Sequence, residues 1–157
     1  MFRWLKSLFG VPEPAGPPQL LRSVSIQQPT ITQDIVTLDA DGWRIEAQGP
    51  AESVRLFEIS VANLEQCMIT YRAEVRTESL AGKCYLEMWC RVPGRGEFFS
   101  KGLNQTVTGT TAWSQHEIPF YLRAGQKADL LKLNLAVEGT GSIWLRRVEI
   151  YKTPLTS

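Results

Sequence analysis

Residues 83–91 alternate strictly between apolar and polar or aromatic positions. Cys84, Leu86, Met88 and Cys90 fall on one face, and Tyr85, Glu87, Trp89 and Arg91 on the other. Side chains of a strand point to opposite faces with period two, so this pattern predicts a strand buried on one side. Residues 67–76 repeat it, with Cys67, Ile69, Tyr71, Ala73 and Val75 inward and Met68, Thr70, Arg72, Glu74 and Arg76 outward. The short link 77–82 between the two runs predicts an antiparallel hairpin, which would merge their polar faces. A third clean strand is expected over 130–138, with Leu131, Leu133, Leu135 and Val137 inward and Lys132, Asn134 and Glu138 outward. A last strand over 143–151 is nearly continuous with apolar residues, broken by Arg146 and Arg147.

Shorter strands are expected at 23–27, 35–38, 43–47, 54–60, 97–101 and 113–121. Turn residues separate them, including Asp39-Ala40-Asp41-Gly42, Gly49-Pro50 and Gly139-Thr140-Gly141. Pro119 places its strand at a sheet edge, because proline has no N–H to donate to a ladder. No segment past residue 18 has a convincing 3.6-residue period. Eight to ten short antiparallel strands with regular turns predict an all-β fold, a jelly-roll β-sandwich.

The first ten residues differ. Phe2, Trp4, Leu5, Leu8 and Phe9 are interleaved with Arg3 and Lys6. As a short helix of about 15 Å this segment would gather an apolar stripe suited to a membrane interface or a protein partner. Residues 11–18, VPEPAGPP, read as a proline-rich spacer. The domain is then 19–157. No apolar run is long enough to span a bilayer and no secretory signal is recognised, so the expected location is cytoplasmic, peripheral to a membrane if residues 1–10 dock there.

Composition narrows the chemistry. Seventeen basic and sixteen acidic residues give a formal charge of +1, without the basic excess of a nucleic-acid footprint. The three cysteines are an odd number. Cys84 and Cys90 would lie roughly 20 Å apart on one strand face, too far for a disulfide. No Cys/His spacing fits a metal, and no cofactor motif appears. The expectation is buried thiols. His116, the one histidine, has no nucleophile motif beside it; acid pairs such as Glu74 and Glu87 could face each other, but a glycosidase needs its two carboxylates at a defined separation across a cleft. The chain therefore reads as non-catalytic.

The candidate site is the polar face of the central strands: Arg72, Glu74, Tyr85, Glu87, Trp89, Arg91, Lys132 and Asn134. Flat aromatics cover the C–H faces of sugars, and charged or amide groups bond the hydroxyl rim. Tyr85 and Trp89, four residues apart, would be about 13 Å apart, the span of two to three sugar rings. Trp43, Trp113 and Trp144 are expected in the core or at its rim.

Three stretches carry a resemblance: MITYRAEVRTESLAGKCYLEMW, TGTTAWSQHEIPF and LLKLNLAVEGTGSIWLRRVEI. In this order they resemble carbohydrate-binding modules of families four and nine, within the galactose-binding-like jelly rolls, over roughly residues 45–151. The resemblance implies a non-catalytic module with a glycan or other polar ligand on a sheet face. Where the family often has two aspartates that help hold calcium, this chain has Arg146 and Arg147, whose charge would repel the cation. The alternative expectation is an interaction or scaffold domain of the same fold, tethered by residues 1–10.

Overall fold

The computed structural model describes residues 12–156. The expectations for residues 1–10, with Phe2, Trp4, Leu5, Leu8 and Phe9, lie outside the described residues. Seven strands make up the fold: β1 (Gln19–Ser23), β2 (Val36–Asp39), β3 (Gly42–Leu64), β4 (Cys67–Val92), β5 (Gly96–Lys101), β6 (Val107–Leu122) and β7 (Ala128–Pro154). All pairings are antiparallel. The order is β2-β3-β7-β4-β5, with β1 added to β7 and β6 to β4.

Three strands are much longer than the sequence pattern suggests. β3, β4 and β7 each run through both layers of a jelly-roll β-sandwich, so ten strand segments arise from seven strands. The hairpin expected between 67–76 and 83–91 does not form. Those runs are the two halves of β4, and each pairs with β7, from Cys67 opposite Pro154 to Arg91 opposite Leu130. The link 77–82 stays extended, and it bends where Gly82 faces Gly139, which in turn faces Gly49. Gly49-Pro50 and 139–141, expected as turns, are likewise the bends of β3 and β7.

The bend divides the molecule into two layers. The first holds residues 52–64 of β3, 128–137 of β7, 83–92 of β4, and β5. The second holds the other halves of β3, β4 and β7 with β1, β2 and β6. Between them lie Ile45, Leu56, Ile69, Met88, Leu131, Leu133, Leu135, Ile143, Leu145 and Ile150, all buried. Tyr71 crosses this core from the second layer, and its hydroxyl donates to the Asn134 carbonyl of the first at 3.3 Å. Burial, and then the nearby Glu87 carboxylate, push the Tyr71 phenol well above its ordinary range.

The proline-rich segment is partly drawn into the domain. Pro14 bridges Leu155, the Ala15 amide donates to the Pro154 carbonyl at 2.7 Å, and Glu13 is buried. Backbone hydrogen bonds at the end of β7 hold the segment there, including the Thr156 amide donating to the Glu13 carbonyl at 2.8 Å.

All three cysteines are buried and unpaired. Burial pushes the Cys84 and Cys90 thiols up to about 12, from an ordinary value of 9.0. Unfolded thiols ionise near that ordinary value and the native ones do not. Their contribution to stability is therefore complete below pH 9 and is lost as pH rises towards 12. The urea midpoint is expected to fall between about pH 8 and about pH 11, and to fall less in a Cys84→Ala/Cys90→Ala variant. Equal slopes in the two proteins would show that the thiols do not titrate with unfolding.

Candidate functional site

The outer face of the first layer carries the site. Along β4 it presents Tyr85, Glu87, Trp89 and Arg91. On one side these stand opposite Ala136, Asn134, Lys132 and Leu130 of β7. On the other, Glu87, Trp89 and Arg91 stand opposite Lys101, Phe99 and Glu97 of β5. β3 adds Ser53 and Arg55, opposite Ala136 and Asn134.

Glu87 is the floor of this face, only 3% exposed. Its Oε1 accepts from Ser53 Oγ at 2.8 Å, Asn134 Nδ2 at 3.0 Å and Trp89 Nε1 at 3.2 Å. Oε2 accepts from Ser53 at 3.1 Å and stands 4.0 Å from Lys101 Nζ. A buried carboxylate is tolerated only when paired and hydrogen-bonded, and here donors from three strands meet the requirement. The indole N–H of Trp89 is thereby tied to the floor. Its ring leans on Phe99, with centroids 5.3 Å apart at 54°. Phe99 is 56% exposed, so the pair forms an aromatic corner open to solvent.

Two depressions of about 260 Å³ each meet over Ser53 and Glu87. One runs towards Trp89 and is walled by Ile31, Arg55, Glu58, Glu97, Lys132 and Asn134. The other runs towards Tyr85 and Lys101, past Glu52 and Glu138. Together they make a shallow groove along the strand direction. The charges around Glu87 are paired within the site: Lys132 with Glu97 at 2.7 Å, Arg55 with Glu58 at 3.7 Å, and Lys101 with Glu87.

Of the expected site residues, Tyr85, Glu87, Trp89, Lys132 and Asn134 converge on this groove. Arg91 continues the same face at its end, where it is bound to Asp129 at 2.8 and 3.1 Å. That bond holds the Asp129 carboxyl below its usual range. Arg72 and Glu74 lie elsewhere. Because β4 bends instead of turning back, they face outward from the second layer. Arg72 bonds Glu117 at 3.3 Å and covers the Tyr151 ring at 4.3 Å. Glu74 accepts from Arg146 at 2.8 Å and Arg147 at 3.1 Å. Trp43 is in the core, packed against Phe57. Trp144 is buried under Arg76, whose guanidinium lies 3.7 Å from its ring. Trp113 is half-buried on the same face, with Arg146 at 4.0 Å.

Ser53, Arg55, Ile31, Glu97 and Phe99 were not expected at the site. The alternation of Glu97, Phe99 and Lys101 against Phe98 and Ser100 was visible and would have put an aromatic on each face. The β3 residues carry no such signal, since only long-range pairing brings them here.

No protein-family model and no curated protein sequence matches the chain. Solved structures do. The CBM22-1 xylan-binding domain of Paenibacillus barcinonensis Xyn10C superposes with a TM-score of 0.56 at 14% identity, covering 90% of this chain and 99% of that one. The fold is that of the carbohydrate-binding-module jelly rolls. A CBM4 structure matches with a TM-score of 0.55 at 9% identity over 76% of each chain, so family four, one of the two expected from sequence, is among the matches. TmCBM27, a carbohydrate-binding module with specific mannan recognition, gives 0.52 at 13% identity over 87% of this chain and 99% of its own. At such identities the jelly roll is shared, and the site must be argued from its own residues.

Proposed function

We propose that the protein is a non-catalytic binding module that holds a neutral glycan chain in the groove over Glu87. The observation that carries this reading is the Trp89–Phe99 corner, standing open beside a row of fixed hydrogen-bonding groups. The rings supply flat apolar area for a sugar's C–H face. Asn134, Arg55 and Lys132 supply donors for its hydroxyl oxygens, and Ser53 Oγ, Glu58 and Glu97 supply acceptors. The groove runs along β4, with Tyr85 about 13 Å from Trp89, so a second ring has a place to rest. The likeness to xylan- and mannan-binding modules supports the same class of ligand. The internal pairing of the site's charges favours a neutral polysaccharide over an anionic one, because an acidic sugar would have to displace Glu97 from Lys132.

The test is intrinsic tryptophan fluorescence of the whole chain, titrated with xylan, mannan, mixed-linkage glucan and polygalacturonate. A saturable shift is expected with at least one neutral polymer and not with polygalacturonate. Trp89→Ala should weaken that binding at least ~10-fold, as loss of a central aromatic anchor does. A flat response across the neutral polymers would overturn the reading.

A further inference from the structure

We propose that two copies of the chain join edge to edge through β5, forming a symmetric dimer whose two outer faces make one continuous surface. The argument begins with the edges. A strand at the edge of a sheet presents unpaired N–H and C=O groups, and proteins blunt such edges with charged side chains, proline, bulges, short strands or a covering segment. Among the described residues every other edge is treated in one of these ways. β6 carries Pro119 and three register shifts, β1 has a bulge, and β2 has four residues. The outer edge of β3 is covered where the Ile31 and Thr32 amides donate to the Leu56 and Arg55 carbonyls. β5 has no proline, bulge or covering strand, and its one such device is charge, from Glu97 and Lys101. It pairs with β4 over six residues in unbroken register, and no described strand pairs with its other edge, where the Ser100 hydroxyl donates to the Pro119 carbonyl of β6 at 2.6 Å. It also carries two adjacent exposed aromatics, Phe98 at 44% and Phe99 at 56%.

The sequence of that edge, GEFFSK, is complementary to itself. An antiparallel pairing centred on Phe99 sets Glu97 opposite Lys101 of the partner subunit and Lys101 opposite Glu97 of the partner subunit. The two Phe99 rings meet in the middle. Opposite charges across an antiparallel pair are favourable and like charges are not. The alternative register centred on Phe98 sets Glu97 opposite an aromatic and pairs no charges. Local two-fold axes between antiparallel strands stand perpendicular to the sheet, so both outer faces point the same way. This is an isologous contact, closed at two copies. The row Trp89–Phe99 then continues across the seam into its symmetry mate. Joining two grooves this way would raise the avidity for a polymer. That consequence rests on the proposed glycan binding; the dimer itself does not.

The test uses the full chain without ligand. Sedimentation equilibrium should show a reversible monomer–dimer equilibrium below about 1 mM. Lys101→Glu and Glu97→Lys should each weaken association at least ~10-fold, since each replaces two attractive pairs by two repulsive ones. Lys101 also stands near Glu87, so a second measurement avoids variants that fail to fold. Under mild oxidation Phe99→Cys should cross-link to itself, because directly opposite residues on antiparallel strands are within disulfide reach. Glu97→Cys alone should not. A monomer at all concentrations would overturn the proposal. So would equal cross-linking at the two positions.

Discussion

Gly139→Ala is expected to abolish the native fold at room temperature, or to destabilise it by more than about 4 kcal/mol. The reason lies in the bend that turns one sheet into two layers. Gly139 has φ +96°, a region closed to side chains, and a Cβ built there would stand 1.6 Å from the Ala81 carbonyl oxygen. Gly82, opposite it, has φ +124° and would place a Cβ 2.0 Å from the Glu138 carbonyl oxygen. Each glycine leaves room only for the other's backbone. No rotamer change can relieve a contact with a carbonyl in a neighbouring strand, so β4 and β7 would have to part at the bend. Gly49 is the internal control. It has φ +125°, yet its nearest neighbour to a new Cβ is Thr140 Cγ2 at 3.8 Å. Gly49→Ala should therefore show the conformational cost alone, about 1–3 kcal/mol. Chemical denaturation of the two variants measures this. A Gly139→Ala protein no less stable than Gly49→Ala would mean that the strands do not approach as described.

The same bend explains what the sequence revealed and what it hid. Alternation correctly sorts residues 83–91, with Cys84, Leu86, Met88 and Cys90 in the core and Tyr85, Glu87 and Trp89 facing the groove. It also sorts 67–76 correctly. What alternation does not carry is how two such runs are joined. The inward positions are odd-numbered up to Val75 and even-numbered from Cys84. A turn can change that phase, and so can a bulge. Here it is a bulge: the register shifts between Glu78 and Ala81, and Ser79 adopts φ +51°. A second one at Arg147, φ +53°, lets Leu145 and Val148 both face the core. Local pattern is blind to the difference, and Arg72 and Glu74 are consequently on the wrong layer for the site. The residues of β3 were hidden for another reason. Ser53 and Arg55 reach the groove only through pairing with residues some eighty positions away.

Glu87→Ala is expected to remove both the floor of the groove and the aim of its aromatic wall, costing about 2–4 kcal/mol of stability and most of the ligand affinity. The carboxylate collects donors from Ser53, Asn134 and Trp89. Without it the Asn134 amide, buried on β7, keeps the desolvation cost of its N–H groups and loses their partner. The indole N–H of Trp89 is released, and only the edge of Phe99 then restrains the ring. Glu87→Gln separates the two roles. Its amide oxygen, placed where Oε1 stands, still accepts from Asn134 and Trp89, while its NH₂ faces the Ser53 hydroxyl, which can accept. The glutamine variant should lose only about 1 kcal/mol and keep most of the binding. The link to Trp89 is tested by a double-mutant cycle of Glu87→Ala with Trp89→Phe, which removes the N–H but keeps an aromatic. A coupling of about 1 kcal/mol is expected in stability, with a matching coupling in polysaccharide affinity. Additive losses in both would mean that Trp89 is held by its packing on Phe99 alone, and that the buried carboxylate serves the fold without setting the site.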